Sequence, residues 1–146
     1  MPSDERQSDA IIRLKGICKS FGSLRVLEGI DLDIEESRTT VVLGPSGTGK
    51  SVLLKIIVGL LKPDRGEVHI DDRRVDTLSE MELVEVRTQF GFLFQMGALF
   101  DSMTVAGNVC ITLGEHARMS GEEQRDRCDQ VLRQVGADEV VNLEID

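Results

Sequence analysis

The chain has 146 residues, 40% hydrophobic and 29% charged, a make-up ordinary for one soluble domain. Its net charge of −9, with no basic stripe, argues against a nucleic-acid partner and against direct attraction to anionic lipid. Three cysteines, Cys18, Cys110 and Cys128, are odd in number and form no CxxC pair, which predicts free thiols in a reducing cytoplasm. The longest near-apolar run, residues 52–61, is broken by Lys55 and is too short to span a bilayer, so no direct membrane insertion is expected.

Residues 1–9 are polar and acidic, unlike a signal peptide, and read as a disordered tail. Residues 11–18 alternate loosely and predict an edge strand; Val26, Leu27, Ile30, Leu32 and Ile34 continue the pattern in a second, half-buried strand. Phe21 falls in the turn between them, where an aromatic ring serves either for packing or for contact with a ligand. Residues 39–43, Thr-Thr-Val-Val-Leu, read as a short buried strand, and residues 51–61 as an apolar helix.

Between those two lies Gly44-Pro45-Ser46-Gly47-Thr48-Gly49-Lys50-Ser51, which fits G-x-x-x-x-G-K-[ST] at every specified position. Strand, glycine loop and helix is the context this phosphate-binding pattern needs. Gly44, Gly47 and Gly49 lack a Cβ, so the backbone can curl and approach a polyphosphate closely. Successive amide N–H groups then converge, and the positive end of the helix adds to their field. Lys50 is placed to bridge β- and γ-phosphates, and the Ser51 hydroxyl to ligate Mg²⁺. The alternative is a glycine-rich turn with an incidental lysine.

Further on, residues 62–66 (Lys-Pro-Asp-Arg-Gly) form a turn, and residues 67–71 a short strand with His69 solvated on its polar face. Ser79 and Glu82 have the spacing of a capping box that opens a helix through about Thr88. Residues 90–94, Phe-Gly-Phe-Leu-Phe, read as a core strand ending at Gln95. A helix is predicted over 104–116, weakened by Gly107 and Gly114. A second capping box, Ser120 with Glu123, opens a helix whose apolar face is Cys128, Val131, Leu132 and Val135 and which ends at Gly136. His116 and Met119 read as surface residues.

Taken as an ordered set, these segments resemble the N-terminal part of ABC-transporter ATP-binding subunits. The resemblance covers residues 11–146. It rests on Lys19-Ser20-Phe21-Gly22, on residues 26–32 and 60–68, on the glycine loop, and on Phe94-Gln95 followed by residues 99–105 and Asn108-Val109. It implies an α/β P-loop NTPase fold with a small N-terminal antiparallel β layer, an incomplete parallel core and the start of a helical subdomain. The implied division is residues 10–95 for the nucleotide-binding core and 96–146 for the subdomain region. The resemblance makes Phe21 the ring that stacks on adenine, and Gln95 the glutamine that contacts Mg²⁺ and the attacking-water region. A polar residue that merely ends a strand is the competing reading of Gln95. ATP and Mg²⁺ are the implied ligands.

The implied partners are a membrane permease, whose coupling helix would dock in a groove lined by residues 96–103, and a second ATP-binding subunit. Packing of 96–103 inside the domain is the alternative. The location that follows is cytoplasmic, peripheral on the inner face of the inner membrane. Residues 50–55 and 95–102 are similar to the branch that works with Mla-type permeases in phospholipid transport.

Three departures stand out. Ser37 occupies a position usually held by Gly, where a left-handed turn costs about 1–2 kcal/mol. Gly107 stands where Glu is common. The sequence also contains no Leu-Ser-Gly-Gly segment and no apolar strand closing in Asp-Glu, so the chain is expected to bind nucleotide without turning it over. Two other readings are a non-catalytic permease-docking module and a different P-loop enzyme, such as a small-molecule kinase.

Overall fold

A computed structural model describes residues 10–94, 97, 99–116, 119–137 and 139. The chain forms two compact units, residues 1–90 and 91–146. The predicted tail, residues 1–9, lies outside the described residues.

The first unit is built on four strands in the order β2-β1-β3-β4: β1 Ala10–Phe21, β2 Leu24–Glu35, β3 Arg65–Ile70 and β4 Arg73–Arg74. Every pairing is antiparallel. The β layer expected from the sequence is present, but β1 is an interior strand and not an edge, because β3 returns to pair with its free side. Among the described residues no strands pair in parallel.

Strand β1 buries Ile12 and Leu14, then changes phase and buries Ile17. A period of two cannot place both Leu14 and Ile17 on one face. A bulge at Gly16, with register shifts against both neighbours, resolves the conflict. The Gly16 amide, displaced from the ladder, donates to the Asp31 carboxylate at 2.7 Å. Gly66 passes directly over this bulge; a Cβ there would lie 2.6 Å from the carbonyl oxygens of Lys15 and Gly16, which no side chain tolerates.

Helix α1, Lys50–Ile57, buries Leu53, Ile56 and Ile57. It stops short of the predicted Leu61 because Gly59 takes a left-handed conformation and Leu60 N–H donates back to the Lys55 carbonyl. Helix α2, Glu80–Arg87, begins at the predicted capping box and buries Leu83 and Val86. Arg87 of α2 donates to the Gly59 carbonyl at 2.6 Å, tying the two helix ends together. His69 is half-buried beside Glu67, at 2.9 Å, and not simply solvated; Glu67 also accepts from Arg74.

Two expected core strands are absent as strands. Residues 39–43 make no ladder, and Val41, Val42 and Leu43 are exposed, Leu43 by 87%. Among the described residues, 90–94 likewise join no ladder, and Leu93 is 86% exposed. Apolar pattern marks a segment as fit for a sheet, but burial needs a neighbour to hydrogen-bond with.

The second unit contains helices α3, Val105–His116, and α4, Gly121–Gln134. They run antiparallel, with the Gln124 amide donating to the Cys110 carbonyl and a disulfide joining Cys110 to Cys128. The expectation of three free thiols is therefore corrected: only Cys18 is free. The pair is 18 residues apart in sequence, yet helix packing brings the Cα atoms to 5.6 Å, ordinary disulfide range. On α4 Cys128 and Leu132 are buried, whereas Val135, at the cap, is exposed. Gly107 sits against Met103 and Thr104, where a Cβ would be crowded.

Both capping boxes form in full. Hydrogen bonds from the Ser79 hydroxyl and then its backbone amide lower the pKa of Glu82; the Ser120 amide and hydroxyl do the same for Glu123. A carboxylate with a depressed folded-state pKa stabilises above its unfolded value. That contribution is lost as pH falls through the folded value. Helix content should hold from neutral pH to about 5 and fall below about 4, read by far-UV circular dichroism. Ser37 does adopt a left-handed φ of 57°, so Ser37→Gly should raise stability by about 0.5–1 kcal/mol in urea unfolding.

Candidate phosphate and nucleotide site

The loop Gly44–Gly49 leads straight into α1, whose first two residues are Lys50 and Ser51. Its geometry is set from behind. Gly49 caps the helix at φ 94° and backs onto β2; a Cβ there would lie 2.7 Å from Val26 Cγ1. Only glycine meets both demands. No side chain caps the helix, and its first turn holds no acidic residue. Its leading amides therefore lack a side-chain acceptor and remain available to an anion.

Inside the loop, the Thr48 hydroxyl donates to the Pro45 carbonyl at 2.9 Å. The Lys50 ammonium folds back to donate to Gly44 O at 2.8 Å and Pro45 O at 2.6 Å. An ammonium has three donors, and no carboxylate pairs with this one among the described residues. Ser46 and Gly47 form the exposed crest of the loop, and Ser51 is exposed on the first turn of α1. A polyphosphate suits this donor set: helix amides with no side-chain acceptor, and an ammonium that no carboxylate pairs with among the described residues.

An open cleft of about 560 Å³ adjoins the loop, lined by Leu27, Ile30, Leu32, Val42 and Leu53 among others. Gly44, Pro45, Thr48, Gly49 and Lys50 line it too, so the loop and the cleft form one recess that is apolar on its β2 side. Among the described residues no cluster of three or more His, Cys, Asp or Glu could hold a metal alone. A Mg²⁺ ion carried in with phosphates needs few protein ligands, and the Ser51 hydroxyl suits that role.

Phe21 closes β1, half exposed at 49%, opposite Leu24 across a two-residue turn. Its hairpin is the one whose second strand backs Gly49. Gln95 lies outside the described residues, as do Met96 and Ala98. Two residues that the sequence did not single out act next to the ring: the Lys19 ammonium sits 5.7 Å from its centroid, and Asp64 holds that ammonium at 2.7 Å. The i, i+2 spacing of Lys19 and Phe21 was the one available signal, since such residues share a strand face. Asp64 read only as turn chemistry.

The model of the family described as ABC transporter matches residues 27–146. The chain belongs to that family. The probable ribonucleotide transport ATP-binding protein mkl of Mycobacterium leprae is 49% identical over 86% of this chain and 36% of its own length. The intermembrane phospholipid transport system ATP-binding protein MlaF of Haemophilus influenzae is 37% identical over 75% of this chain and 41% of its own. Among solved structures, the dimeric ATP-binding cassette MJ0796, in a post-hydrolysis state bound to ADP and Pi, superposes with a TM-score of 0.80. It is 33% identical, covering 91% of this chain and 61% of that one. The chain thus spans roughly a third of the length of the mycobacterial relative. No helix among the described residues is long and apolar enough to cross a membrane.

Gly49→Ala should disrupt the cradle twice, by strain at positive φ and by collision with Val26. We expect a loss of about 1–3 kcal/mol in thermal unfolding and no detectable binding of inorganic tripolyphosphate by calorimetry.

Proposed function

We propose that the chain is the nucleotide-gripping part of a transporter ATP-binding subunit, with ATP and Mg²⁺ as its ligands. The observation that carries this reading is the Lys50 ammonium, turned into a glycine loop whose helix amides have no side-chain acceptor. In this reading the β- and γ-phosphates take the ammonium from the Gly44 and Pro45 carbonyls. Ser51 and Gln95 contribute to Mg²⁺ coordination, and Phe21 stacks on adenine. The residues present supply grip without turnover, because no signature segment and no Asp-Glu pair closing a strand occurs in the sequence.

The partners in this proposal are a membrane permease and a second ATP-binding subunit, which places the assembly on the cytoplasmic face of the inner membrane. Leu99 and Phe100 support the permease contact, since both are more than half exposed. Asn108 fixes their segment: its side chain accepts from Phe100 N–H at 2.6 Å and donates to the Phe100 carbonyl at 2.9 Å. For cargo we favour phospholipid. Residues 50–55 and 95–102 are similar to the Mla-type branch, and the Haemophilus relative is named for phospholipid transport. The mycobacterial relative, named for ribonucleotide transport, marks the competing cargo.

Calorimetric titration with Mg·ATP tests the grip. The chain should bind, and Lys50→Ala should weaken binding by about 10- to 100-fold, the worth of a charge-assisted hydrogen bond. Absence of binding by the unmodified chain overturns the reading. Hydrolysis at a transporter-like rate, abolished by Lys50→Ala, overturns the assignment of grip without turnover.

A further inference from the structure

The turn that leaves α1 comes back to the strand that bears Phe21. Asp64 lies in that turn, and its backbone amide and both carboxylate oxygens engage the residues just before the ring. Its backbone N–H donates to the Cys18 carbonyl at 2.9 Å. Its carboxylate accepts from the Ser20 amide at 2.7 Å through one oxygen, and from the Lys19 ammonium at 2.7 Å through the other. Three consecutive residues, Cys18, Lys19 and Ser20, are thus held by one aspartate. Ion pairing and the two hydrogen bonds keep this carboxyl below the usual carboxylate range, led by the bond from Lys19.

The Lys19 side chain is only 14% exposed, although it is a lysine on a hairpin end. Free, such a chain carries considerable rotamer entropy. Anchored by Asp64, its ammonium lies over the Phe21 ring at 5.7 Å, within the range of a cation–π contact. The cation engages one face of the ring, and the ring stays half exposed.

We propose that Asp64 is a positioning residue for base recognition: through Lys19 and Ser20 it holds the Phe21 ring in place for a stacked purine. The inference rests on the nucleotide reading above and extends it. The same chain segment that starts at the phosphate loop ends at Asp64, so the aspartate sets the position of the base platform relative to the loop. It touches neither phosphate nor base. Its effect should appear only for ligands that carry a base.

The test titrates the full chain with two probes, Mg·ATP and Mg·tripolyphosphate, by calorimetry. The unmodified chain should bind both. Asp64→Ala should weaken ATP by about 5- to 10-fold, part of the worth of an aromatic–base stack, and leave tripolyphosphate unchanged. Asp64→Asn, which keeps the shape and one acceptor, should fall between and protects the test if the alanine variant does not fold. In a Phe21→Leu background, Asp64→Asn should cost nothing further for ATP. Equal weakening of both probes, or no weakening of either, overturns the inference while leaving the phosphate grip standing. Failure of the unmodified chain to bind tripolyphosphate overturns the grip itself, and this inference with it.

Discussion

The contact between Gly49 and strand β2 is the constraint from which the site follows. The backbone at Gly49 presses against Val26 and Leu27 with no room for a Cβ, and it does so at a φ open only to glycine. That approach fixes where α1 starts, and no side chain caps its leading amides. Lys50, next in sequence, can then turn its ammonium over the Gly44 and Pro45 carbonyls. A charge, a dipole end and a flexible backbone converge because one position lacks a side chain.

Local features were legible from sequence wherever the cause was local. Both capping boxes are four-residue devices in which the Ser and Glu side chains accept from each other's backbone amides, and both form. The β1–β2 hairpin was visible from its alternation, though the bulge at Gly16 was not: it answers a phase conflict between Leu14 and Ile17 that only the packed sheet reveals. The Cys110–Cys128 pair was misread because a sequence separation of 18 hides a proximity that two packed helices create. Asp64 and Lys19 are 45 residues apart, and nothing in either neighbourhood announces the other.

Residues 39–43 and 90–94 carry the same lesson from the opposite side. Their composition suits interior strands, yet neither joins a ladder among the described residues. Hydrophobic pattern reports what a segment can tolerate; a ladder reports what is beside it. Alternation in β3 was reliable because β1 was there to receive Val68 and Ile70. The apolar cleft beside the loop, walled by Val42, Leu32 and Leu53, expresses the same unmet pairing as a space.

The antiparallel ladder between β1 and β3 pairs Leu14 with Val68 and Cys18 with Arg65, and so encloses the whole span that carries the glycine loop. Closing such a span costs entropy that grows only slowly with its length, but it must be met before the cradle has walls. Any polyanion that settles in the cradle therefore acts as a clasp on the sheet. By mass action, a ligand at a hundred times its dissociation constant adds about 2.7 kcal/mol to the folded state. Fold and ligand in this chain share one free-energy account, and denaturation measured in phosphate-rich buffer will report on both at once.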